Sequence, residues 1–176
     1  PRFTFFITQD MENELQREEL KGTLPIFYVF LARAGKSITD ISYLMLDKNG
    51  DPHLASVPTP RGYAPGVRIT FVGGPGSAPQ TLFYFTTDLS NEGIRAQPGF
   101  LKFCASQNVG LSLLKSASYR MFQPGCENVR DFLLTHSRAL IEDDSGIPLR
   151  AFDPADWDRQ WFGGYSTPID LFTVQF

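Results

Sequence analysis

A chain of 176 residues with 42% hydrophobic content is long enough to bury a sizeable core in one domain, and nothing in it has the composition of a disordered segment. Its formal net charge of −3 excludes a generic binder of nucleic acid or of anionic membranes, since both need a basic footprint. No apolar run approaches the roughly 18 residues of a membrane span, and the first residues do not read as a signal peptide.

The chain opens on Pro1 and not on Met, which predicts a trimmed, processed or excerpted start. Arg2 to Ile7 is aromatic and β-branched and reads as a strand. Thr8 is then a fitting N-cap for a surface helix over Gln9 to Lys21, with acids in its first turns and Gly22 as its stop. Leu24 to Ala32, LPIFYVFLA, is a nearly continuous apolar run rich in β-formers, and the expectation is a central strand. The Gly35-Lys36-Ser37 that follows invites a phosphate-loop reading. That loop also needs a glycine five positions before Gly35, where Phe30 stands, so a polar hairpin turn is expected instead.

Ser37 to Leu46 alternates as a strand and leads into Asp47-Lys48-Asn49-Gly50-Asp51, the strongest turn signal in the chain. The same letters mimic the opening of a calcium loop. Counted from Asp47, however, Pro52 replaces the glycine of that loop and Pro58 replaces its bidentate glutamate. Ala55 to Gly66 carries too many prolines for a central strand and reads as a loop. Val67 to Val72 and Thr81 to Asp88 form a hairpin around Gly73 to Pro79, which lacks dinucleotide-fingerprint spacing. The second of these strands turns abruptly polar at Thr86, Thr87 and Asp88, the kind of strand end where sites are built.

After a loop from Ser90 to Gln97, Pro98 opens a helix to about Asn108, with Phe100, Leu101, Phe103 and Cys104 inward. Cys104 and Cys126 are compatible with one disulfide or with two buried thiols. Leu111 to Met121 is read as a further strand, with Lys115 set among Leu113, Leu114 and Ala117. Ser112-Leu113-Leu114-Lys115 matches the Ser-x-x-Lys of penicillin-recognising enzymes, but that motif opens a helix and its companion motifs are missing here. Asn128 to Ile141 is patterned as a helix with Val129, Phe132, Leu133, His136 and Leu140 on one face, so His136 is expected on the apolar side. Three acids, Glu142, Asp143 and Asp144, then end that helix with the wrong sign for its dipole, so they are either solvated surface groups or held by something positive such as Lys115, Arg150 or a ligand. Leu149 to Phe152 reads as a short strand, and Asp153 to Trp161 as a polar segment or helical turn. Trp157, Trp161, Phe162 and Tyr165 around Gly163-Gly164 have the letters of a cradle for a sugar or other ring, but the preferred reading is that they clamp the terminal segment, with Pro168 to Phe172 as an edge strand. No His, Cys or acidic spacing forms a metal site, and no cofactor motif is complete.

Leu114-Lys115-Ser116-Ala117-Ser118-Tyr119, Asp143-Asp144-Ser145-Gly146-Ile147-Pro148 and the ending Gly163-x-Tyr165-x-x-Pro168-Ile169 carry a resemblance. So do Leu31-Ala32-Arg33-x-Gly35 and Leu82-x-Tyr84-Phe85-x-Thr87-Asp88-Leu89-Ser90. The chain resembles a group of uncharacterised bacterial proteins, many of them exported, which brings no established activity. The resemblance implies a periplasmic or secreted setting and further sequence ahead of Pro1. It also implies a histidine where Phe122 stands, so any activity that uses that histidine is not expected here.

The expectation is therefore a single α+β domain over 1–176, part of a longer or processed chain: a mainly antiparallel sheet with about three helices packed against it. Its sheet would take Leu24 to Ala32, Ser37 to Leu46, Val67 to Val72, Thr81 to Asp88 and Leu111 to Met121. Two functions follow. The first is an envelope-associated binding or structural module with a small-molecule or protein partner, no nucleic acid and no membrane span. Thr87, Asp88, Tyr119 and Ser145 would then line its ligand site. The second is a hydrolase-like enzyme using Lys115, Ser116, Ser118, Asp143 and Asp144.

Overall fold

The computed structural model describes residues 23–56, 59–107, 112–114, 123–142 and 151–161. Within them the chain is α+β, with four helices and a mainly antiparallel sheet. The expected strand over Arg2 to Ile7, the helix over Gln9 to Lys21 and the edge strand over Pro168 to Phe172 lie outside the described residues.

The first element corrects the sequence reading: Leu24 to Ala32 is not a central strand but most of helix α1 (Thr23–Arg33). Leu24, Phe27 and Leu31 are buried at positions i, i+3 and i+7, and with Tyr28 they pack on Val67 and Ile69 of the sheet. The outward positions are apolar too, with Ile26, Val29 and Phe30 at 44%, 60% and 68% exposure. That is why the run shows no helical period. Gly35 ends the helix at φ 64, where Lys36 N donates to Leu31 O at 2.9 Å and Gly35 N to Ala32 O at 3.0 Å. This pair of bonds is the Schellman stop, so Gly-Lys-Ser serves a helix end and not a phosphate.

Strands β1 (Ser37–Leu46), β2 (Pro52–Leu54), β3 (Ala64–Val72) and β4 (Gln80–Phe85) form an antiparallel sheet in the order β2-β1-β3-β4. Alternation divides the faces: Val67 and Ile69 point to α1. On the opposite side Leu46, Ala64 and, from β4, Phe83 and Phe85 meet the helices that follow. These are α2 (Asn91–Ala96), α3 (Gly99–Ser106) and α4 (Glu127–His136). The rings of Phe83 and Phe85 stand edge-on to Phe103 at 5.1 and 5.2 Å. The same core takes in Cys104, and burial pushes its thiol up to about 12. No disulfide joins Cys104 to Cys126; both are buried thiols.

Helix α2 replaces the expected loop over Ser90 to Gln97. Ser90 Oγ caps it by accepting from Gly93 N at 3.0 Å, a signal readable in the sequence. The expected helix over Asn128 to Ile141 stops at His136, because Ser137 turns extended and Ala139–Glu142 becomes strand β6. His136 is exposed and not on the apolar side; its ring stacks on Phe132 at 4.1 Å, and Nδ1 lies 2.8 Å from Phe132 O. Leu140, the last residue of the expected helical stripe, is fully buried, but from a strand.

The described part of the expected strand Leu111 to Met121, β5 (Ser112–Leu114), does not join the antiparallel sheet. It pairs in parallel with β6, which pairs in parallel with β7 (Asp158–Trp161). Helix α4 lies in the connection between β5 and β6, as parallel neighbours require. Ala151 and Phe152 are not in a strand. Asp153 instead opens a turn, accepting from Ala155 N, Asp156 N and Trp157 N before β7 begins.

The β1–β2 turn is organised by Asp47. Its Oδ1 accepts from Asn49 N at 2.8 Å and Asp51 N at 3.0 Å, while Oδ2 lies 3.0 Å from His53 Nε2. Those bonds, the one from His53 first, hold its carboxyl down at about 2 instead of the ordinary 3.8. Both oxygens are committed to the turn itself, which is what a calcium-loop aspartate would not do. Because the folded value lies below the unfolded one, the contribution is complete above the unfolded value and is lost as pH falls from 3.8 through about 2. The urea midpoint of the wild type should therefore drop more steeply over that window than that of Asp47→Asn. Parallel pH profiles would remove this role.

Candidate functional site

Of the residues singled out in the sequence, Thr87 and Asp88 are described, and they stand together on a cleft. Lys115, Ser116, Ser118, Tyr119, Asp143, Asp144 and Ser145 lie outside the described residues. Leu114 pairs with Ile141 in the parallel sheet. The ends of β5 and β6, which precede Lys115 and Asp143 in sequence, therefore run side by side in the same direction.

The cleft has a volume of about 730 Å³ and lies where the β1–β2 turn, the loop before β3, the end of β4 and α2 come together. Each wall has a local cause. Pro60 to Tyr63 is a turn closed by Tyr63 N donating to Pro60 O at 3.1 Å, with Gly62 at φ 84 in the position that favours glycine; it brings Arg61 to the rim. Lys48 lies across that turn, close enough that a Cβ on Gly62 would come within 2.9 Å of Lys48 Cε. On the far wall Thr86 N donates to Pro65 O at 2.9 Å, extending the β3–β4 pairing by one bond into the polar stretch.

Thr87 Oγ1 donates to Gln97 Oε1, and Gln97 Nε2 donates to Tyr63 O at 3.0 Å. This relay ties the end of β4 to α2 and to the loop carrying Arg61, so the floor of the cleft is braced by two side chains and a backbone carbonyl from three segments. Asp88 positions the next helix. Its Oδ1 accepts from Ser90 N at 2.8 Å and its Oδ2 from Ser90 Oγ at 2.9 Å. Ser90 in turn caps α2. The first turn of α2 sits so closely on Asp88 that a Cβ on Gly93 would overlap its carbonyl oxygen.

α2 is also anchored from behind. Asn91 Nδ2 donates to Glu127 Oε2, Asn91 Oδ1 accepts from Asn128 N at 3.0 Å, and Glu127 Oε1 accepts from Gly125 N at 3.1 Å. Backbone N–H groups at the start of α4, with the Asn91 amide, hold the Glu127 carboxyl below its usual range.

Four lining residues with charged or amide side chains escape the sequence reading: Lys48, Arg61, Glu92 and Gln97. Lys48 and Arg61 sit in turns whose letters explain themselves, and Glu92 and Gln97 fall in a stretch that reads as a loop. The helix-cap pattern at Ser90 is the signal that places Glu92 on an ordered wall. The exposed side-chain ends of Lys48, Arg61 and Glu92 make no ion pair or hydrogen bond with another described residue. The lining thus carries charges of both signs, two cations and the two acids Asp88 and Glu92. Among the described residues no three His, Cys, Asp or Glu side chains come together as metal ligands would.

No family model, no curated protein and no solved structure matches this chain.

Proposed function

We propose that this chain is a binding module whose ligand is a small polar molecule held in the cleft between Lys48, Arg61, Thr86, Asp88 and Glu92. The observation that carries the reading is the pairing of a braced floor with unpartnered charged ends on its rim. Sites of this volume, with a few placed polar groups on a rigid frame, suit small ligands. The setting in the bacterial envelope rests on the resemblance carried by Leu114 to Tyr119 and Asp143 to Pro148. A small ligand is preferred to nucleic acid because the net charge is −3 and the cleft mixes both signs.

The test is a screen of metabolites and short glycans by equilibrium dialysis on the wild type and on Arg61→Glu. Arg61 is exposed, so the variant should keep the wild-type unfolding midpoint while losing the bound compound. Compounds that bind both proteins equally would place the ligand elsewhere and overturn the reading.

A second reading, a hydrolase-like enzyme using Lys115, Ser116, Ser118, Asp143 and Asp144, draws support from the parallel pairing of β5 with β6. Ligands of parallel sheets gather beyond the carboxyl ends of the strands. Turnover of ester substrates that disappears in Lys115→Met would favour it over the first.

A further inference from the structure

Resting on the binding reading, we infer that the cleft takes a zwitterion with separated ammonium and carboxylate groups, of the class of short peptides and large amino acids. Four charged residues line the cleft, two cations, Lys48 and Arg61, and two acids, Asp88 and Glu92. Their formal charges cancel, but they are segregated by segment: the cations come from the β1–β2 turn and the Pro60–Tyr63 turn, the acids from the β4–α2 connection and the first turn of α2. A molecule that enters must strip water from charges of both signs, and each sign then needs its counter-charge. An anion satisfies Lys48 and Arg61 but meets repulsion from Glu92. A cation has the reverse difficulty, and an uncharged ligand leaves the ends of Lys48, Arg61 and Glu92 without compensation.

The roles within the site differ. Arg61 presents a fork that matches a carboxylate in two parallel bonds, and Lys48 adds a point charge beside it. Of the two acids, Asp88 already accepts two bonds from Ser90. Glu92, with no such commitment, is the primary acceptor for an ammonium. A volume of about 730 Å³ exceeds what one small amino acid fills and suits a chain of a few residues. Thr86, also in the lining, supplies a hydroxyl to such a ligand.

Triglycine in four forms separates the alternatives: free, N-acetylated, C-amidated, and blocked at both ends. Titrations followed by calorimetry should rank the free form first, with a loss of about tenfold on blocking either end. In Glu92→Gln the penalty for N-acetylation should shrink while the penalty for C-amidation remains, a pattern that general weakening of the fold does not produce. Equal binding of all four forms, tighter binding of a blocked form, or no binding of any form at millimolar concentration overturns the inference. If triglycine fails but another compound from the screen binds wild type and not Arg61→Glu, the binding reading stands and only the ligand class falls.

Discussion

Replacing Gly99 by alanine is expected to lower stability by about 3 kcal/mol, the upper part of the range for forcing extra atoms into a packed interior. Gly99 is buried at the start of α3, directly under the β1–β2 turn. A Cβ there would overlap Asp47 O and stand 2.9 Å from Gly50 N and 3.0 Å from Asp47 C. Every one of these is a backbone atom, so no side-chain rotation relieves the overlap. The facing residue is equally constrained, since a Cβ on Gly50 would come within 2.8 Å of both Gly99 O and Phe103 N. Lys102 Nζ adds a bond to Lys48 O at 3.2 Å across the same contact. Gly73→Ala is the control, because its closest neighbour at 3.0 Å is the flexible end of Lys36. Urea unfolding should show a large drop in midpoint for Gly99→Ala and little change for Gly73→Ala. Similar small changes in both would mean that the turn does not rest on α3 as described. Since that turn carries Lys48, Gly99→Ala should also weaken any ligand of the cleft.

A loss of about 4 kcal/mol is expected for Phe152→Ala, in the range for removing a fully buried aromatic ring. Phe152 is 0% exposed, and its ring meets Trp157 edge-on at 4.8 Å. Both belong to the core that includes Leu46 and Ala64 of the antiparallel sheet, Phe100 and Phe103 of α3, and Leu140 of the parallel sheet. Removing the ring opens a cavity where the two sheets share one interior. Phe152→Leu retains most of the volume and should cost well under half as much. Equal effects of the two substitutions on the unfolding free energy would show that the site collapses around either side chain.

What is legible in the sequence follows from local chemistry. Ser37 to Leu46 alternates and ends in Asp-Lys-Asn-Gly-Asp, and β1 and its turn occupy those residues. The β3–β4 hairpin is readable from two apolar strands and a glycine-rich tip, and the antiparallel α+β class follows from them. What is not legible depends on tertiary partners. Leu24 to Ala32 is apolar on the side that packs and on the side that does not, so no periodicity separates helix from strand; only Gly35 at its end carries the answer. Ala139 to Glu142 continues a helical pattern in letters, yet pairs with β5 and β7. Thr87 and Asp88 stand out as an abruptly polar strand end and do line the cleft. Their companions Lys48 and Arg61 come from turns far away in the chain, and nothing local marks such a meeting.

The central claim is that the cleft bounded by Lys48, Arg61 and the β4–α2 connection is where a ligand binds, and residue-resolved amide NMR tests it most directly. On titration with a compound retained in dialysis, saturable shifts should concentrate at Lys48, Arg61, Gly62, Thr86 to Asp88 and Glu92 to Gln97, and vanish in Arg61→Glu. Saturable shifts confined to the exposed side of α1 around Ile26, Val29 and Phe30, with the cleft amides unmoved, would contradict it.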